Sequence, residues 1–107
     1  MKIATVDIDG TLCDEGEQLS VSGNDKKDYE MFLSKIPKRD AIEKVNMAIK
    51  NGHKIIIWTH RASKWRKVTE RWLKKECVGY HELVMDKIFA TSYVDNRGCT
   101  VKDWIID

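Results

Sequence analysis

Apolar positions fall into two rhythms along this chain. Short continuous runs rich in Ile, Val and Thr mark strands. The first is Met1 to Val6, stopping at residue 7; the second is Lys54-Ile55-Ile56-Ile57-Trp58. The second run is brief, β-branched and follows a helix, so it is expected to be a central parallel strand buried on both faces. Helical spacing appears in Ala41, Ile42, Val45, Ala48 and Ile49, with Asp40 as the expected N-cap, Glu43 completing a capping box and Asn51-Gly52 ending the helix. A second helix is expected over Ser63 to Lys75, with Trp65, Val68, Thr69 and Trp72 on its core face and Gly79 breaking it. Glu82 to Met85 and Thr91 to Val94 read as two further strands. Val101 to Asp107 fits either an edge strand or a short helix. Residues 13–36 are the least regular stretch, in which Tyr29 to Leu33 suits one helical turn or a hairpin arm. The alternation predicts an α/β fold in a single domain, 1–107, with 13–36 as a small flap.

Composition narrows the picture mainly by exclusion. The 107 residues suffice for one modest core. A net charge of +2 gives no argument for nucleic acid or a membrane surface. No apolar run approaches a membrane span. The first strand is interrupted by Asp7, which does not suit a signal peptide, so a cytoplasmic protein is expected. Cys13, Cys77 and Cys99 are odd in number and lack paired spacing, which argues for reduced thiols over disulfides or zinc. The basic residues Lys64, Lys67, Arg71, Lys74 and Lys75 read first as a solvated helix face.

Chemistry concentrates in Asp7-Ile8-Asp9-Gly10-Thr11-Leu12, at the end of the first strand. Gly10 permits a sharp turn, which can set the two carboxylates facing each other and free backbone N–H groups. Close carboxylates call for a positive charge between them. A hard divalent cation such as Mg²⁺ suits few carboxylates, waters and a phosphate oxygen. One carboxylate is then placed to attack phosphorus and the other to move protons.

This hexapeptide matches the DxDGT signature, and the chain resembles the haloacid dehalogenase superfamily. The resemblance implies a three-layer Rossmann-like sandwich with a small central parallel sheet in the order 3-2-1-4 and no large cap domain. It implies that Asp7 is the nucleophile, forming an aspartyl phosphate, and that Asp9 is the general acid/base. Three later pieces follow the family order: Thr59 and Lys87 at strand ends, as phosphate-holding residues, and Asp95-Asn96 after the fourth strand. Asp7, Asp9 (through its backbone carbonyl), Asp95 and Asn96 would hold Mg²⁺. Many members carry a second acidic residue where this chain has Asn96. Gly10, Thr11, His60 and Arg61 are candidates for phosphate or substrate contacts, Arg61 as a bidentate fork for a second anion.

Within the superfamily, Gly52-His53-Lys54, Thr59-His60-Arg61 and Trp65-Arg66-Lys67-Val68-Thr69 are similar to short capless bacterial and phage members, often grouped with sugar-phosphate or capsule-biosynthesis phosphatases. The resulting expectation is a Mg²⁺-dependent phosphomonoesterase acting on a small phosphorylated metabolite such as a sugar phosphate. A homo-oligomer covering the open site is one implied partner. Two other readings stay open: a nucleotide or nucleic-acid 3′-end phosphatase, and a non-catalytic phosphate-binding or receiver-like domain.

Overall fold

A computed structural model describes residues 2–14 and 22–87. Their elements run β1 (Ile3–Val6), α1 (Asp25–Leu33), α2 (Arg39–Lys50), β2 (Lys54–Trp58), a 3₁₀ turn (Ser63–Trp65), α3 (Arg66–Lys75) and β3 (Glu82–Val84). The three strands form a parallel sheet in the order β1-β2-β3. Ala4 pairs with Ile55 and Val6 with Ile57, while Ile57 pairs with Leu83. This is the 3-2-1 part of the expected order; the fourth strand, 91–94, and the tail, 101–107, lie outside the described residues.

Period-two alternation decides which strand residues meet the helices. Val6, Ile55, Ile57 and Leu83 point to one face and join Ile42, Val45, Ala48, Trp72 and Leu73 in the main core. Both crossover helices, α2 and α3, therefore pack on the same side. On the opposite face Ile3 is 58%, Trp58 37% and Val84 43% exposed. On that face of β2, Lys54 and Ile56 are half-buried. Among the described residues only one layer of helices packs on the sheet, so β2 is buried at alternate positions.

Two helix boundaries also depart from the sequence reading. The N-cap of α2 is Lys38, with no side-chain cap bond, so Asp40 sits inside the first turn. There its charge favours the positive end of the helix dipole without capping it. The C-terminus agrees: Gly52 has φ +88°, and the N–H groups of Gly52 and His53 bond back to Ile49 and Ala48. At the end of α3 it is Cys77, at φ 59°, that takes the left-handed position, and Val78 N–H returns to Leu73 O at 2.9 Å. Gly79 has another job. A Cβ there would stand 2.7 Å from Ile49 Cδ1 and 2.9 Å from Asn46 Oδ1, so any larger residue would have to push those two side-chain ends aside.

The stretch expected to be irregular contains the helix α1. Asn24 Oδ1 caps it by accepting from Lys27 N–H at 3.1 Å. Asp28, one turn in, gathers Ser22 N–H at 2.8 Å and Ser22 Oγ at 2.7 Å, tying down the approach. α1 packs on α3 through Phe32 and Trp65, whose ring centroids are 5.2 Å apart. Polar straps flank that contact: Lys64 to Asp25, Arg71 to Tyr29 Oη and Lys75 to Leu33 O, each 3.1 Å. Part of the basic face of α3 thus holds α1 instead of facing solvent alone.

Candidate active site

The tip of β1 builds the first half of the site. Ile8 is fully buried, and it fixes Asp7 and Asp9 on either side of it. Gly10, at φ 83°, allows the chain to double back, so that Ile8 O accepts from the N–H groups of Thr11, Leu12 and Cys13. Gly10 N–H donates to Cys13 O at 3.0 Å. This corrects one expectation: the amides of Gly10 and Thr11 are used within the turn and do not point toward a phosphate. Lys38 closes the turn from outside, its Nζ 3.2 Å from Gly10 O and its N–H 2.8 Å from Leu12 O.

The tips of β2 and β3 supply the second half. Thr59 N–H donates to Val84 O, and Thr59 O accepts from Lys87 N–H at 2.8 Å, so the loops after the two strands run side by side. Asp86, at φ 59°, turns the chain there; its N–H bonds Arg61 O and its Oδ1 accepts from Ser63 N–H. His60 Nδ1 lies 2.7 Å from Lys87 O. A carbonyl can only accept, so Nδ1 carries the hydrogen. Thr59 is buried, and its Oγ1 accepts from Arg61 N–H at 3.2 Å. That bond leaves the hydroxyl proton available to an incoming oxygen.

Asp7 and Asp9 sit in contrasting surroundings. Burial pushes the Asp7 carboxyl above its ordinary value, and the Ile8 N–H, 2.8 Å from Oδ1, pulls the other way. The positive charges of Lys87 and His60 also lower it, and the negative charge of Asp9 raises it. Such a carboxylate suits a cation or an electrophile as a partner. Asp9 is already paired. Arg61 Nε donates to its Oδ2 at 3.0 Å and Nη2 to its Oδ1 at 2.8 Å. The two side chains are 0% and 6% exposed.

Arg61 is therefore not the fork for a second anion that its sequence position suggested. Its third nitrogen, Nη1, donates to Thr69 Oγ1 at 3.1 Å, and Phe32 lies under the guanidinium at 4.5 Å. Cys13 is close by, with Sγ 3.6 Å from Asp9 Oδ1. Burial and the Asp9 charge push this thiol up to about 12, which suits a structural donor and not a nucleophile. Phe32 and Thr69 were missed as site residues. Their only sequence signals were an apolar run and a core helix face.

For a metal, Asp7 offers a hard oxygen donor of the kind Mg²⁺ accepts. The Asp9 carboxylate is taken by Arg61. Among the described residues no three His, Cys, Asp or Glu side chains gather as a metal cluster. Asp95 and Asn96 lie outside the described residues.

Comparison with known proteins now adds the family. Residues 1–106 match the model for the polynucleotide kinase PNKP phosphatase domain, a haloacid dehalogenase (HAD) type. The chain belongs to this family. It is a phosphatase-type enzyme with a Rossmann-like HAD core, as the DxDGT resemblance implied. Among solved structures it is similar to a structural-genomics target from Vibrio cholerae, at 24% identity and a TM-score of 0.73, over 96% of this chain and 86% of that one. It is also similar to chains in a Pnkp1/Rnl/Hen1 complex (24% identity, TM-score 0.61) and in the Pnkp1/Rnl/Hen1 RNA repair complex (26%, 0.60). This chain spans 30% and 25% of the lengths of those two chains, and they cover 89% and 78% of it. No curated protein matches. Within the HAD frame, the structure brings Asp7, Asp9, Thr59, His60, Arg61 and Lys87 to the carboxyl ends of β1, β2 and β3, where open α/β sheets bind ligands. No helix among the described residues is long and apolar enough to cross a membrane.

Proposed function

We propose that this chain is a Mg²⁺-dependent phosphomonoesterase acting through an aspartyl phosphate on Asp7, and that its substrate is the 3′-phosphate end of a nucleic acid. The observation that carries the substrate class is the match of nearly the whole chain to the PNKP phosphatase domain. The sequence alone favoured a sugar phosphate, and the family match tips the choice toward the nucleic-acid end. It is also supported by the described residues between β1 and α2, whose regular structure is a single helix, α1.

In this reading the free Asp7 oxygen attacks phosphorus and the bond to the leaving oxygen breaks. Asp9 hands that oxygen its proton, then accepts one from the water that hydrolyses the aspartyl phosphate. The Thr59 hydroxyl and the Lys87 ammonium steady the transferring oxygens. Asp7, the Asp9 carbonyl, Asp95 and Asn96 would hold Mg²⁺, which would supply charge neutralisation at the phosphoryl group.

The test is a substrate panel with the purified protein and Mg²⁺: 3′-phosphorylated oligonucleotides, nucleoside 3′-phosphates, sugar phosphates and p-nitrophenyl phosphate. Highest kcat/KM on the oligonucleotide, falling with added salt as phosphate contacts are screened, is the expected result. A sugar phosphate ahead of every oligonucleotide would overturn the substrate class. Phosphate release from none of them would overturn the mechanism.

A further inference from the structure

Lys87 follows β3, yet the end of β2 holds it. Its N–H donates to Thr59 O at 2.8 Å, and its carbonyl accepts from His60 Nδ1 at 2.7 Å. Its side chain lies over Trp58, with Nζ 4.8 Å from the ring centroid. Three consecutive residues thus hold one lysine, two by its main chain and one by its charge. Trp58 is the last residue of β2, pairs with Val84 of β3 and stands on the sheet face away from the main core. Its ring is partly exposed, beside the buried Thr59. An ammonium within about 6 Å of a ring centroid is drawn to the ring face, and tryptophan draws it most strongly. The same positive charge reaches Asp7 and lowers its carboxyl.

We propose that Trp58 is a positioning residue whose ring holds the Lys87 ammonium at the strand ends, where the transferring phosphoryl group would lie. The inference rests on the phosphatase reading above. A lysine carries its point charge on a flexible four-carbon stem, so the two main-chain bonds do not aim the ammonium by themselves. A carboxylate partner would aim it, but would also offset the charge that the phosphoryl oxygens need. A neutral ring draws the ammonium to one place and leaves its charge whole.

The experiment grades the ring. Trp58→Phe keeps an aromatic face with a weaker pull, and Trp58→Leu keeps an apolar surface with none. Turnover with Mg²⁺ is measured on a 3′-phosphorylated oligonucleotide and on p-nitrophenyl phosphate, which carries no nucleobase. The pull of a partly exposed ring on an ammonium corresponds to about 2- to 5-fold in rate. Trp58→Leu is therefore expected to lower kcat by about that factor on both substrates, with Trp58→Phe in between. In a Lys87→Ala background Trp58→Leu should cost nothing more, because effects that run through one group do not add. A second readout needs no turnover. In the metal-free protein the ring should move the NMR signals of the Lys87 ε-protons upfield. Trp58→Leu should abolish that displacement, and Trp58→Phe should keep part of it.

A loss on the oligonucleotide alone would make the ring a stacking platform for a base and overturn the positioning role. So would an unchanged kcat, or a loss that persists in full in the Lys87→Ala background, which would mark Trp58 as structural. Lys87 signals that ignore the ring would refute the contact itself. Each of these leaves the phosphatase reading standing. A wild type that releases phosphate from neither substrate would take down both. Melting temperatures are measured alongside, and if Trp58→Leu fails to fold, the same cycle is run with Trp58→Phe.

Discussion

Asp7 and Asp9 are two residues apart, yet the molecule treats them as different substances. Asp7 stands at a strand tip, its carboxyl raised by burial and opposed by one amide and by cations that act from a distance. Asp9 is clamped by a buried guanidinium that is backed by an aromatic ring and a threonine. The first is left ready for an external partner. The second is tied to the protein's interior. Neighbouring carboxylates are told apart by their environments. Here the environments differ across Ile8.

The largest expected effect breaks the Asp7 side. Asp7→Asn should reduce phosphate release to background. It should also raise the melting temperature of the metal-free protein at neutral pH. The sign follows from the raised carboxyl. The folded state holds the proton more tightly than the unfolded chain, so stability from this group is present below the ordinary value of 3.8 and is lost as pH rises through the raised one. Removing the charge removes that loss. Differential scanning fluorimetry with a chelator checks it, and a lower melting temperature would contradict the account.

Lys87 comes next. Lys87→Ala should lower kcat by about 10²–10³-fold, the usual scale for one donor to a transferring group. Because Lys87 also holds the Asp7 carboxyl down, its loss should move the acid limb of the pH–rate profile to higher pH. A reduced rate with an unmoved limb would separate Lys87 from Asp7.

The smallest effect sharpens the Asp9 side. Ser22 N–H bonding, followed by the Ser22 hydroxyl and Gly23 N–H, holds the Asp28 carboxyl below its ordinary value, with burial opposing. Its contribution is complete above 3.8 and fades as pH falls through the lowered value. Acid, or Asp28→Asn at neutral pH, should loosen the start of α1. Hydrogen exchange should then quicken over 25–28 and leave α2 unchanged.

Legibility in the sequence followed the range of the interactions. β2 is found over the expected residues, and α2 ends where expected and starts two residues early, because period and glycine placement are local signals. Residues 13–36 lacked such signals. α1 forms there through Asn24, Asp28 and contacts with α3 some forty residues away in the chain, such as Arg71 with Tyr29 and Lys75 with Leu33. Cys77 takes the left-handed position after α3 where Gly79 was expected to, while Gly79 packs close to the side-chain ends of Ile49 and Asn46.

By itself the sequence determined that a parallel α/β sheet would carry Asp7, Thr59 and Lys87 to its strand ends, since hydrophobic rhythm and the order of those residues along the chain are enough for that. It also pointed to the HAD family, through a hexapeptide whose residue types have few other uses together. Only the tertiary structure decided what Arg61 does. An arginine after a strand is equally suited to a substrate anion or a buried carboxylate, and the choice depends on what stands behind it. Phe32 and Thr69 stand there, brought in by two different helices, and they leave the guanidinium facing Asp9.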